Sequence, residues 1–294
     1  QANDYVRRAL NKKMTITEEN VYNQWTIISK YHYALGTLTE NTIGVKYRYT
    51  GGWADTDSRA FTFWFRPIYK APIGKNVKIT SITNNAGEAM ITTTGLPLTL
   101  KAGDWISIRG TSSYNGIQPI KAVDFTTNTV TLDVDYIDGI ITNNAKFNKE
   151  VSNTFIQYDT DTATPTSYVQ LTYTANWFII KLNDTYYKYD LSKSSVVLTK
   201  GEWYAATINL NNIAKQLSLF LYNTVELTGA LNPDRTADLK NIYTNTQTIP
   251  AISIPEGYAW KLLGCQTDLT NIRIWSEPIE EELQELILSQ YVVK

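Results

Sequence analysis

Cysteine and histidine are almost absent from this chain. Cys265 is the only cysteine among 294 residues, so no disulfide can form within the chain. His32 is the only histidine, so a histidine pair or a histidine-rich metal site is excluded. A Ser-His-Asp triad would have to use this one residue, and no Gly-x-Ser-x-Gly motif accompanies it. The simplest interpretation of both residues is structural.

Long apolar runs and strongly charged stretches are also missing. No stretch of about 18 apolar residues indicates a transmembrane helix, and the N-terminus lacks the pattern of a signal peptide. The 27 basic residues nearly balance the 28 acidic ones, which argues against a broad nucleic-acid-binding surface. Because the sequence starts at Gln1, we expect it to be a trimmed, processed or excised piece that can lack localisation signals.

What is abundant favours strands. The chain has 20 tyrosines and 8 tryptophans, and only 19% of its residues are charged. Aromatic and β-branched residues fill most periodic segments, as is typical of half-buried strands. We therefore predict an all-β protein, large enough for one sizeable sandwich and a small second domain.

The C-terminal third shows the clearest periodicity. Residues 205–210 and 216–222 alternate around a polar connection, which predicts a β-hairpin. Residues 271–275 alternate again, and residues 280–288 carry apolar positions at helical spacing after acidic residues. Together with the segments 201–204 and 269–275, and with the aromatic strand 60–68, this pattern resembles laminin-G/concanavalin-A-like β-sandwiches. The resemblance implies an antiparallel jelly roll closed by a short C-terminal helix.

A second set of short strands interrupts this pattern. We predict five strands at residues 77–82, 89–93, 104–109, 117–123 and 129–134, separated by turns rich in Gly and Asn. The segment 102–116 resembles small β modules of bacteriophage tail and fibre proteins. We therefore expect an inserted β-barrel or sandwich at residues 71–150, within a larger sandwich formed by residues 41–70 and 151–294. Residues 1–40 are interpreted as an N-terminal arm or connector that includes a short helix at 5–14, or alternatively as a strand and loop on the sandwich edge.

The carboxylates that glycosidases of this architecture use are not apparent. Such enzymes place two carboxylates near each other, commonly as alternating acidic residues on one strand. The nearest match, Asp133 and Asp135 with Asp138, falls in the inserted module, and Glu280–Glu282 lie at a helix start. We therefore predict no catalytic residues and a protein that is not an enzyme.

Calcium is the ion that the sequence could accommodate. The pairs Asp55/Asp57 and Asp159/Asp161 have an Asp-x-Asp spacing that can direct two carboxylates at one ion. The alternative is that these residues only form turns, because the complete calcium-loop pattern is absent.

Carbohydrate binding needs exposed aromatic faces beside polar groups. The candidates are Trp53, Tyr114, Tyr186 and Tyr187. The alternative for each is ordinary packing in the core or along a sheet edge.

Together these features favour a non-enzymatic protein of a bacteriophage virion, in a tail, a fibre or a head appendage. It would display a lectin-like sandwich for assembly or for attachment to host-surface glycans, with other virion subunits as partners. Self-association is expected, with a trimer as one candidate. The alternatives are a carbohydrate-binding module of a bacterial surface or secreted protein and, third, a glycosidase or lyase. No nucleic-acid partner or membrane insertion is expected.

Overall fold

The computed structural model describes residues 14–15, 25–29, 32–37, 42–48, 52–67, 75–160, 167–224, 239–264 and 267–289. The chain divides into two compact units, Gln1–Tyr69 with Asn153–Lys294, and Lys70–Ser152. Strands dominate the described residues. None of the helices in these ranges is long and apolar enough to cross a membrane.

Two antiparallel sheets form the larger unit. From one edge to the other, the first sheet consists of β1 (Met14–Thr15), β4 (Thr42–Arg48), β19 (Ala259–Gly264), β12 (Asn153–Asp159), β13 (Ser167–Tyr173), β14 (Trp177–Leu182) and β15 (Thr185–Asp190). The second consists of β18 (Leu239–Thr248), β17 (Gln216–Thr224), β16 (Tyr204–Asn211), β5 (Arg59–Pro67), β20 (Thr267–Trp275), β3 (His32–Thr37) and β2 (Trp25–Ser29).

The early strands change the interpretation of the N-terminus. Strands β1, β2 and β3 pair within these two sheets, so the described residues before residue 38 are sandwich strands and not an arm. This corresponds to the strand-and-loop alternative. The helix predicted at residues 5–14 lies outside the described residues except for Met14, which belongs to β1.

Aromatic side chains fill the space between the sheets. Phe63 and Phe65 alternate on β5 and meet Phe155, Tyr173 and Phe178 of the first sheet, with ring centroids 5.3 to 6.4 Å apart. All five side chains are fully buried. Each such burial contributes about 1.5–3 kcal/mol, so this cluster is a main source of cohesion in the larger unit.

A helix covers the opposite face of the second sheet. Helix α1 (Glu281–Ser289) starts with two glutamates, which favour the positive end of its dipole. Its Leu288 packs with Trp64, Ala205 and Tyr222, which project from the side of the sheet away from the aromatic core. Trp64 Nε1 also donates a hydrogen bond to the Leu288 carbonyl at 3.1 Å. The alternating residues of β5 are therefore buried on both faces.

The smaller unit is a closed six-stranded barrel. Its strands are, in the order of their pairing, β10 (Thr129–Asp135), β7 (Glu88–Thr93), β6 (Val77–Asn85), β11 (Ile141–Glu150), β8 (Trp105–Thr111) and β9 (Gly116–Asp124). Strand β11 was not among the five predicted strands. Residues 142–144 are exposed, and only Ala145 and Phe147 on this strand are fully buried, so its hydrophobic alternation is short.

The architecture confirms the predicted fold class. The described chain is all-β apart from short helical segments, with a two-sheet antiparallel sandwich, a small β-barrel and a C-terminal helix.

Candidate functional site

A row of polar side chains crosses the outer face of the first sheet. The strand register places Lys261 opposite Gln157, Gln157 opposite Gln170, Gln170 opposite Lys181, and Lys181 opposite Tyr186. On β12, β13 and β14 the residues on either side of these positions are buried towards the core, because a strand alternates its side chains between the two faces. We call these five residues the polar row. With strands about 4.8 Å apart, the row is roughly 20 Å long.

The polar row has one buried end and one half-exposed end. Lys261 is buried and lies 2.5 Å from Asp159, whose side chain is also buried. Gln157 donates to the other carboxylate oxygen of Asp159 at 2.6 Å. Gln170, Lys181 and Tyr186 are half-buried, so ligands can reach them from water. The buried ion pair therefore fixes one end of the polar row, and Gln170, Lys181 and Tyr186 offer contacts at the other.

Lys181 and Tyr186 are arranged as a pair. The ammonium nitrogen of Lys181 lies 5.3 Å from the centre of the Tyr186 ring, within the range of a cation–π contact. Tyr186, one of the residues predicted to bind carbohydrate, is half-buried and forms a mixed cationic and aromatic surface with Lys181.

Two further tyrosines lie at the ends of the same strands. The rings of Tyr168 and Tyr258 stack at 5.3 Å with an interplanar angle of 16°. Both are half-buried. Tyr168 is two residues before Gln170 on β13, which is about 7 Å along a strand. We call Tyr168 and Tyr258 the tyrosine pair.

Buried groups hold the tyrosine pair in place. The Tyr158 hydroxyl donates to the Pro255 carbonyl at 2.9 Å and accepts from the backbone N–H of Tyr258 at 3.2 Å. The backbone N–H of Asn183 donates to the Tyr168 carbonyl at 2.8 Å. Partial desolvation raises the pKa of Tyr168, and its hydrogen bond with Tyr258 and the nearby charge of Asp184 act in the same direction. Tyr168 therefore stays neutral, and its hydroxyl keeps its proton, throughout the physiological range.

Three of the four aromatic residues predicted to bind carbohydrate are core residues instead. Trp53 is 3% exposed and packs against Phe61, and its indole N–H donates to the Ile252 carbonyl at 3.1 Å. Tyr114 is 3% exposed in the barrel core. Tyr187 is 8% exposed and faces inward from β15. Their rings present no open face for a sugar, because hydrophobic burial uses these faces for packing.

The loop with Asp55 and Asp57 is organised by a buried asparagine. The side-chain NH₂ group of Asn212 donates to the carbonyls of Asp57 at 2.7 Å, Ile252 at 2.8 Å and Ala54 at 3.4 Å. Asp57 forms an ion pair with Arg59 at 3.5 Å, and Asp55 is exposed. The Asp57 carboxylate and the carbonyls of Ala54 and Asp57 are thus already bonded within the protein, which supports the turn alternative.

The second predicted calcium pair fits an ion no better. Asp159 is 1% exposed, and its carboxylate contacts Lys261 and Gln157. A lysine ammonium in this position opposes a bound cation. Asp161 lies outside the described residues. In the described parts of the chain, no group of three or more His, Cys, Asp or Glu side chains is arranged to hold a metal ion.

The sequence did not point to most of the residues that the structure brings together. Gln157, Gln170 and Lys181 are ordinary outward residues of their strands, and only the register across three strands aligns them. Tyr168 and Tyr258 are separated by 90 residues, and Tyr258 follows a glycine with φ of 92°. The high tyrosine content was the one available signal.

No protein-family model matches this chain, and no curated protein sequence matches it. Among solved structures, it is similar to the binding domain of botulinum neurotoxin DC in complex with SialylT, with 11% identity and a TM-score of 0.36. That alignment covers 91% of this chain and 45% of the other, so this chain spans less than half the length of that structure. Peanut lectin with a nonamer peptide aligns at 12% identity and a TM-score of 0.31, covering 85% of this chain and 86% of the lectin.

A heptameric SAP-like pentraxin from Limulus polyphemus aligns at 8% identity and a TM-score of 0.30, covering 80% of this chain and 82% of the pentraxin. The chain is thus weakly similar to lectin-type β-sandwiches. At these scores the similarity carries no argument about ligand or mechanism.

Proposed function

We propose that this protein is a non-enzymatic binding protein that uses the polar row and the tyrosine pair to hold an extended glycan. The observation that carries the proposal is the alignment of Gln170, Lys181 and Tyr186 across three neighbouring strands, beside stacked, half-exposed tyrosines. Amides can donate to and accept from sugar hydroxyls, and tyrosine combines an apolar ring with a polar hydroxyl.

The arrangement suits binding on a rigid surface. The residues project from paired strands, and the buried contacts of Asp159, Lys261 and Tyr158 hold neighbouring positions fixed. A preorganised surface loses less conformational entropy when it binds a ligand. A row of roughly 20 Å fits several sugar units better than a single small ion.

The proposal includes no catalytic step. Asp159, the carboxylate that contacts the buried end of the polar row, is bonded to Lys261 and Gln157. Two carboxylates facing each other across a cleft would be needed for glycoside hydrolysis. Substrate turnover by the purified chain, lost when one acidic residue is replaced, would contradict this part of the proposal.

We further propose that the protein is displayed on a bacteriophage virion, in a tail, a fibre or a head appendage, where it attaches to a host-surface glycan. The support is the resemblance of segment 102–116 to phage tail and fibre modules. A carbohydrate-binding module of a bacterial surface or secreted protein would use the same polar row. Immunogold labelling of phage particles with antibodies against this chain separates the two, because only the virion protein would be found on particles.

The binding proposal is tested by screening a glycan array and measuring the affinity of a hit by calorimetry. Gln170→Ala should weaken binding about 5- to 30-fold, the effect of losing one or two hydrogen bonds. Asn144→Ala removes an exposed amide from the barrel and is the matched control, with affinity unchanged. Equal affinities for both variants would show that the polar row is not the site.

A further inference from the structure

Strand β18 is an unusually open sheet edge. It is the terminal described strand of the second sheet, and it is ten residues long. Thr244, Asn245 and Thr246 are exposed one after another, so water reaches both faces of the strand at this point. An edge strand presents backbone N–H and C=O groups that its own sheet leaves unpaired.

The other sheet edges carry features that discourage pairing. Among the described strands, β1 and β2 are two and five residues long. Strand β15 has six residues and includes Lys188 and Asp190. Short length and charge are the usual means by which proteins protect sheet edges. Strand β18 lacks both over most of its length, because residues 241–248 contain no charged side chain and no proline.

We propose that β18 pairs in antiparallel orientation with β18 of a second copy of this chain. The second sheet of one copy then continues into the second sheet of the other. The same edge on both partners gives a closed two-fold interface. The uncharged stretch 241–248 can face itself without repulsion between like charges, and Thr and Asn side chains can hydrogen-bond across a strand pair. The occupant is thus a second copy, whose edge matches this one in length and neutrality.

The exposed part of the edge is held in strand geometry by its inner neighbour. Strand β18 pairs with β17 over nine residue pairs, with a bulge at Ile242 and a regular register from Tyr243 to Thr248, and Thr246 shares a side-chain hydrogen bond of 2.8 Å with Ser218. The side chain of Gln247 donates to the Lys188 carbonyl at 2.9 Å, which ties β18 to the first sheet. The backbone is therefore already in strand geometry, and little ordering is needed on pairing.

Asn245 lies at the centre of the exposed run and is the position to test. Near the two-fold axis, residue 245 of one copy faces residues 244 to 246 of the other. Asn245→Lys and Asn245→Asp should each weaken the dimer about fivefold or more, because like charges then oppose each other across the strand pair. Mixing the two variants should restore a dimer that contains one copy of each, since the charges are then opposite.

The measurement is sedimentation equilibrium of the full chain over a range of concentrations. Ile213→Lys adds the same charge at an 83% exposed position of the β16–β17 turn and should leave the dimer intact. Thermal unfolding of every variant checks that its fold is unchanged, which is expected for exposed positions. A monomeric parent chain, a trimer, or a dimer that survives both Asn245 variants would overturn the proposal. None of these outcomes depends on glycan binding.

Discussion

Replacing Asn212 should destabilise the larger unit more than replacing any exposed asparagine. Asn212 is 3% exposed, and its side chain bonds the loop around Ala54 and Asp57 to the segment at Ile252. Its carbonyl oxygen accepts from the Ile252 N–H at 2.9 Å. Asn212→Ala would leave that donor and the Asp57 carbonyl without their partner, whereas the Ile252 carbonyl would still accept from the Trp53 indole N–H. Each buried polar group that is left without a hydrogen bond costs about 1–3 kcal/mol, and Asp57 is partly open to water. We therefore expect Asn212→Ala to lower the free energy of unfolding by about 2–4 kcal/mol.

The Asn212→Asp variant separates the effect of lost side-chain packing from the effect of losing the hydrogen-bond donor. Asn212→Asp keeps the shape and the acceptor, but it places a carboxylate oxygen where the NH₂ group met the Asp57 and Ile252 carbonyls at 2.7 and 2.8 Å. Burial and facing carbonyls raise the pKa of this new carboxyl in the folded state. The protonated form can donate, so its stability is present below the unfolded pKa of about 3.9 and is lost as pH rises through the folded pKa.

Urea unfolding followed by tryptophan fluorescence is the suitable assay. All tryptophans except Trp105 lie in the larger unit, so the signal reports mainly on that unit. The control Ile213→Ala, at an exposed position outside the proposed dimer interface, should change the free energy of unfolding by less than about 0.5 kcal/mol. A loss below about 1 kcal/mol for Asn212→Ala, or an aspartate variant that becomes less stable on acidification relative to the parent, would refute this reasoning.

Three further perturbations follow from buried groups. Asp159→Asn should lower the free energy of unfolding, measured in urea, by about 3–5 kcal/mol, because it leaves the Lys261 ammonium buried without its carboxylate. Replacing both Asp159 and Lys261 by apolar residues should lower it less. Equal losses for the two variants would contradict a buried ion pair. Burial lowers the pKa of Lys188 to about 8, so between pH 8 and 10.5 only the unfolded state keeps this lysine protonated. Over this range the free energy of unfolding of the parent should therefore rise by about 1–3 kcal/mol relative to that of Lys188→Met. A difference that does not depend on pH would argue against a desolvated amine. Tyr222→Phe should lower the free energy of unfolding by about 1–2 kcal/mol, because the tyrosine hydroxyl donates to Gln284 Oε1 at 2.9 Å under helix α1. Amide hydrogen exchange should then become faster first in that helix. Unchanged exchange in the helix would show that this hydrogen bond does not hold it in place.

The sequence was most informative for strands in which buried and outward side chains alternate along the whole element. The aromatic residues of β5 alternate, and the hairpin of β16 and β17 has a polar turn between two alternating runs, so both could be predicted locally. The two-sheet sandwich and the C-terminal helix followed from such elements. The early strands β1 to β3 could not be separated from an arm, because their pairing partners are distant in sequence.

Aromatic residues show why the candidate site was harder to predict than the fold. Trp53 and Tyr186 look alike in the sequence, since each stands beside turn residues, yet one packs against Phe61 and the other lies half-exposed under Lys181. Burial is set by the whole sheet and not by local pattern. Gln157 and Gln170 gain their meaning only from cross-strand register, which depends on a bulge between Tyr158 and Asp159 and another between Thr154 and Ile156.

The most direct test of the central claim is calorimetric titration of the array-selected glycan into the parent chain and into Gln170→Ala, Tyr168→Ala and Asn144→Ala, with and without calcium. The account predicts saturable binding that the first two substitutions weaken at least about fivefold, that Asn144→Ala leaves intact, and that calcium does not change. The account would be contradicted by a parent that binds no glycan, or by affinity that is insensitive to Gln170 and Tyr168.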